Sequence, residues 1–103
     1  MTNATASIYL TPNFGRAELT HSQTAERYGI NNTPSPAELA NLRRTAATLE
    51  LVRTALGNVP VLVSSGFRSR AVNTRVGGAA NSAHLTGCAA DFTAPRFGRP
   101  LAV

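Results

Sequence analysis

The stretch Ser35-Pro36-Ala37-Glu38-Leu39, continuing through Leu42, Ala46, Leu49, Val52 and Leu56 to Gly57, decides the fold. Ser35 is followed by Pro36 at the favoured first helical position and by Glu38 three residues on, the order of a capping box. The apolar residues recur at three- and four-residue steps, while Asn41, Arg44, Thr48 and Glu50 point in other directions, so one face of a helix is apolar. Gly57 is placed to take the left-handed conformation that ends a helix. The spacing therefore predicts a helix over Pro36 to Leu56, about 30 Å long at the standard rise, as the core-forming element.

Working outward, Val59 to Ser64 is short and β-branched and reads as a strand, with Pro60 suited to its first residues. Cys88 to Thr93, bounded by Gly87 and Pro95, reads as a second strand. Ser69 to Arg75, closed by Gly77-Gly78, is a short helix. Upstream, Phe14 to Gly29 has helical character and accommodates one short helix or two turns, stopped by Gly29 and the Asn31-Asn32-Thr33-Pro34 run. Residues 1–9 are expected to be a loose arm and residues 10–103 one domain. These elements predict an α+β fold: a small antiparallel sheet packed against one long helix and shorter helices.

Composition narrows the classes of function. With 103 residues, 43% of them hydrophobic, the chain has material for one core and is neither a disordered tail nor a coiled coil. The net charge of +5 comes from ten basic residues, all Arg, against five acidic ones, a balance that favours anionic partners. The arginines are scattered and no aromatic run interleaves them, so a nucleic-acid partner is not expected. No run reaches the ~20 apolar residues of a membrane span. The N-terminus lacks the basic-then-apolar order of a signal peptide, which predicts a protein made in the cytoplasm. The single cysteine, Cys88, excludes an internal disulfide and a thiolate-clustered zinc site.

His84 and Asp91 stand seven residues apart, with Gly87 between them. If Cys88 to Thr93 is a strand, Asp91 shares a face with Ala89 and Thr93, opposite Cys88, Ala90 and Phe92. Asp91 would then face a cleft among small neighbours, and Cys88 would be a small core residue. Spacing alone leaves open that Asp91 caps a turn and His84 is a loop histidine. His21 reads as an exposed helix residue.

The ordered series Ser65-Gly66-Phe67-Arg68-Ser69, Asn73, Val76-Gly77-Gly78, Ser82, His84, Gly87 and Ala90-Asp91-Phe92 resembles the zinc D-Ala-D-Ala carboxypeptidase family. These are bacterial and phage enzymes that cut peptidoglycan cross-links and share the fold of the Hedgehog signalling domain. Upstream residues from Phe14, including Asn32 and Pro34, resemble the phage-type branch, so the likeness runs from about Leu10 to Phe92. The resemblance implies that His84 and Asp91 are zinc ligands, that Arg68 is catalytic and holds a substrate carboxylate or developing oxyanion, and that Ser82 binds substrate in the same cleft. The implied partners are a peptidoglycan peptide or other phage virion subunits, and the implied location is a virion or the cell wall.

In that family a later strand supplies a second histidine as third ligand, yet Phe92 to Val103 contains no His, Asp or Glu. Arg96 to Val103 reads as a loop leading onward, and the domain is expected to be truncated at its C-terminal end. Two ligands are expected to hold zinc weakly or not at all, leaving two readings: an incomplete or inactive peptidase module, or a non-catalytic virion component that keeps the fold.

Overall fold

The computed structural model describes residues 8–97 and 100–102, and it is organised by the helix that the Ser35 capping box starts. In chain order the elements are strands β1 (Tyr9–Thr11) and β2 (Phe14–Gly15), helices α1 (Arg16–Thr20), α2 (Gln23–Tyr28) and α3 (Pro36–Ala55), strand β3 (Leu62–Ser65) and helix α4 (Arg70–Arg75). A 3-10 turn at Ala83–Thr86, strand β4 (Asp91–Thr93), a second 3-10 turn at Pro95–Phe97 and strand β5 (Pro100–Ala102) follow. The fold is α+β, with both of its small sheets antiparallel.

Helix α3 begins and ends as its sequence dictates. The Ser35 hydroxyl accepts the Glu38 N–H at 3.2 Å, and the Glu38 carboxylate accepts the Ser35 N–H at 2.8 Å. Leu56 is the C-cap and Gly57 turns left-handed at φ 91°, where a side chain would be strained. The face toward the core carries Leu42, Ala46 and Leu49, all fully buried, with Leu39, Val52 and Leu56 packed at its margin. Against them lie Phe14, Leu19, Val61, Phe67, Ala90 and Phe92. Truncating Leu42 or Leu49 to Ala would cost about 2–5 kcal/mol.

The segment Phe14 to Gly29 resolves into β2 and two short helices, with Gly29 left-handed at φ 65° closing α2. Tyr9, placed in the arm by its sequence, already pairs with Gly15 in β1. The remainder of the expected arm, residues 1–7, lies outside the described residues.

The strand expected over Val59 to Ser64 runs over Leu62–Ser65, and two further expectations need correction. The strand over Cys88 to Thr93 is shorter, starting only at Asp91, and Cys88 is exposed rather than in the core. Gly87 is left-handed at φ 83° and the Cys88 N–H donates to the Ala83 carbonyl at 3.0 Å, so Cys88 belongs to the turn and falls outside the strand's alternation. The region read as an onward loop instead holds the Pro95–Phe97 turn and β5, which pairs antiparallel with β4 through Asp91 to Ala102, Phe92 to Leu101 and Thr93 to Pro100. Strand β4 is therefore central, flanked by β3 and β5.

Candidate functional site

The cleft is built where β3, the loop after it and the Ala83–Thr86 turn converge on the start of β4. On β4 only Phe92 enters the core, so Asp91 projects to the opposite side. The pairing of Val63 with Phe92 and then Ser65 with Asp91 leaves Ser64 as an extra residue, a bulge beside Asp91. The Ser64 hydroxyl donates to the Asp91 carbonyl at 3.2 Å, tying the bulge to the strand it faces.

The loop Gly66-Phe67-Arg68 is pinned on every side. The Phe67 N–H donates to the Leu19 carbonyl at 2.8 Å and the Arg68 N–H to the His84 carbonyl at 3.0 Å. A Cβ on Gly66 would collide with the Leu19 carbonyl, so the chain passes α1 closely only because residue 66 is glycine. Asn32 bridges this loop to its surroundings: its amide group donates to the Thr20 and Phe67 carbonyls and its oxygen accepts the Ser69 N–H at 2.7 Å.

His84 is buried, and its ring is oriented by the same loop. Nδ1 lies 2.6 Å from the Gly66 carbonyl oxygen. A carbonyl has no proton to give, so Nδ1 carries the hydrogen and, in the neutral ring, Nε2 keeps its lone pair. That Nε2 lies 3.4 Å from Asp91 Oδ2, and Arg68 Nη2 lies 3.9 Å from the same oxygen. The structure thus brings Arg68, His84 and Asp91 into one cleft. Ser82 stands at its edge, where its hydroxyl accepts the His84 N–H at 3.2 Å and caps the 3-10 turn that carries the imidazole.

Arg68 is held by more than Asp91. Its Nη1 donates to Asn73 Oδ1 at 3.1 Å and its Nε lies 3.4 Å from the Ser65 hydroxyl. Asn73, buried on α4, donates in turn to the Ala79 carbonyl at 2.9 Å. A Cβ on Gly78 would overlap the Asn73 amide and approach Arg68 Nη1 to 2.9 Å, so this glycine leaves the room in which the two side chains meet. Both asparagines stand among the residues that carry the resemblance, but the sequence assigned neither a role, since the partners of Asn32 lie up to 37 residues away. The tight pairing of Asn73 with Gly78 is the one local signal.

Arg68 also lines a cavity of about 460 Å³ with Ser65, Phe67, Val72, His21 and Thr24. His21, expected on a helix, is instead the C-cap of α1, 3.3 Å from Glu26. Among the described residues no group of three or more His, Cys, Asp and Glu side chains comes together, and no helix is long and apolar enough to cross a membrane.

Comparison with known proteins places the chain among the peptidases. Residues 12–99 match the family described as Peptidase M15, and the chain belongs to that family. Over 55 residues, 53% of the chain, it is 47% identical to the zinc D-Ala-D-Ala carboxypeptidase of Streptomyces albus G. The match spans 22% of that relative's length.

Proposed function

We propose that this chain is the part of a peptidoglycan D,D-peptidase that supplies two zinc ligands, His84 and Asp91, and the substrate-anchoring Arg68. The observation that carries the reading is the His84 Nε2 to Asp91 Oδ2 separation of 3.4 Å with Nδ1 already engaged. Two donors at zinc bond lengths of about 2.0–2.2 Å in tetrahedral geometry stand about 3.3–3.5 Å apart. Without a cation, an imidazole lone pair would face a carboxylate oxygen; the donor types, one nitrogen and one oxygen, suit zinc. The name of the Streptomyces relative supports both the metal and the D-Ala-D-Ala substrate.

In such a site zinc supplies an activated water and polarises the scissile carbonyl. The chain's own residues do the rest. The Gly66 carbonyl keeps the His84 proton on Nδ1 and so keeps Nε2 basic. Arg68, fixed by Asn73 and Ser65, presents its guanidinium to the terminal carboxylate of a peptide or to the oxygen that gains charge during hydrolysis. Ser82 sets the height of the imidazole by capping its turn. The third donor of a three-ligand set comes from outside these residues, from further chain or from a partner, because no His, Asp or Glu follows Asp91 and β5 offers Pro, Leu and Ala.

Among the described residues no third donor joins His84 and Asp91, which leaves a second reading: a non-catalytic phage virion component that keeps the fold for assembly or cell-wall contact. The deciding experiment titrates the 103-residue chain with zinc while following its histidine ring nitrogens by NMR, alongside a turbidity assay on purified cell walls. The expected result is weak binding that shifts His84 Nε2, is lost in Asp91→Ala, and is accompanied by no wall hydrolysis by this chain alone. A zinc titration that leaves the His84 ring unmoved would overturn the zinc reading. Tight zinc with wall hydrolysis abolished by His84→Ala would show that two donors from this chain suffice.

A further inference from the structure

The cavity that Arg68 lines has neither His84 nor Asp91 in its wall. It shares Gln23, Thr24 and Val76 with a second cavity of about 330 Å³, whose far wall is Arg27, Tyr28 and Arg75. The Arg75 guanidinium carbon stands 3.6 Å from the centre of the Tyr28 ring, and that of Arg27 stands 5.9 Å from the same centre. Two exposed cations thus share one aromatic ring, and an anion placed between them would be attracted by both.

No acidic side chain fills that role. Glu26 turns away to His21, Glu38 caps α3, Glu50 binds Asn13, Glu18 accepts the Val63 N–H and Asp91 faces His84 and Arg68. Those are all five acidic side chains. Among the described residues, Arg27 and Arg75 make no ion pair. A planar guanidinium already stacked on a ring keeps its N–H edge free, and that edge matches a carboxylate in two-point fashion.

We propose that Arg27, Tyr28 and Arg75 form an anion subsite that holds an acidic side chain of a peptide lying in this groove with its C-terminal end at Arg68. The inference rests on the proposed function for the place of the peptide's end. Arg68 stands two residues before helix α4 and Arg75 ends it, so their backbone positions are offset by about the length of its six residues, roughly 9 Å. An extended peptide covers that length in about three residues. The acidic residue therefore lies two to three positions before the residue anchored at Arg68.

The test uses two fluorescein-labelled pentapeptides ending in D-Ala-D-Ala, identical except for Glu or Gln at the third position from the C-terminus. Their binding to the full chain is measured by fluorescence anisotropy in low salt without added metal. The Glu peptide is expected to bind about five- to tenfold more tightly than the Gln peptide. In R27Q/R75Q the ratio falls to one while the Gln peptide keeps its affinity; both side chains are exposed, so the core is untouched. R68Q is expected to weaken both peptides equally and preserve the ratio. Equal binding of the two peptides by the unaltered chain, or a preference that survives R27Q/R75Q, would overturn the subsite. If the preference stands but R68Q weakens neither peptide, the subsite holds and the anchoring role given to Arg68 fails.

Discussion

Asn73→Ala is the substitution whose consequence the structure fixes most closely. The side chain is 3% exposed and spends both ends of its amide, donating to the Ala79 carbonyl at 2.9 Å and accepting from Arg68 Nη1 at 3.1 Å. Removing it leaves a carbonyl and a partly buried guanidinium without their partners. A neutral hydrogen bond contributes about 1 kcal/mol and one to a charged group about 1.5–3 kcal/mol, so the loss is about 3 kcal/mol in all. For a domain of this size that lowers the melting temperature by roughly 10–20 °C. Calorimetry or chemical denaturation of Asn73→Ala, Arg68→Ala and the double variant measures it, and the cycle isolates the coupling between the two side chains. Additive losses, or a loss under about 1 kcal/mol for Asn73→Ala, would refute the claim that Asn73 holds Arg68 in place.

Other outcomes follow from the same contacts. Gly66→Ala puts a methyl group against the Leu19 carbonyl and is expected to destabilise the fold by about 1–3 kcal/mol and to weaken the zinc-induced shift of His84, read by NMR. Burial acts to raise the Glu50 pKa, but hydrogen bonds from the Asn13 side chain and backbone, a weaker effect of the Thr11 hydroxyl, which lacks a bond of ordinary geometry, and the Arg53 charge together hold it below the usual carboxylate range. Its folded pKa being the lower one, the stabilisation is complete above the unfolded value of about 4.3 and is lost as the pH falls through the folded value, so Glu50→Gln should flatten the acid limb of the stability profile. Cys88, exposed in its turn, is expected to react with a maleimide in the native state, and Cys88→Ser should leave the melting temperature within about 2 °C of the original.

What could be read in the sequence was local. The Ser35 to Gly57 helix carries its own start, period and stop within 23 residues, and it formed as written. The Arg68, His84 and Asp91 cleft was legible through resemblance, since their spacing alone did not bring them together. The rest depended on partners distant along the chain. Strand β5 has no β-branched residue in Pro100–Ala102 and exists through its pairing with β4. Cys88 was misplaced because alternation was extended backwards across Gly87, where the backbone is left-handed and no strand period applies. The orienting roles of Asn32 and Asn73 belong to hydrogen bonds that no periodicity reports.

The crowding around Gly66 and Gly78 separates two kinds of information that a sequence search merges. Both glycines are dictated by their neighbours, the Leu19 backbone in one case and the Asn73 amide with the Arg68 guanidinium behind it in the other. A methyl group at either position disturbs the architecture whatever side chains stand at positions 84 and 91. Gly66 and Gly78 therefore speak for the scaffold alone, and any evidence of chemistry has to come from the side chains that the scaffold carries beyond them, at positions 84 and 91.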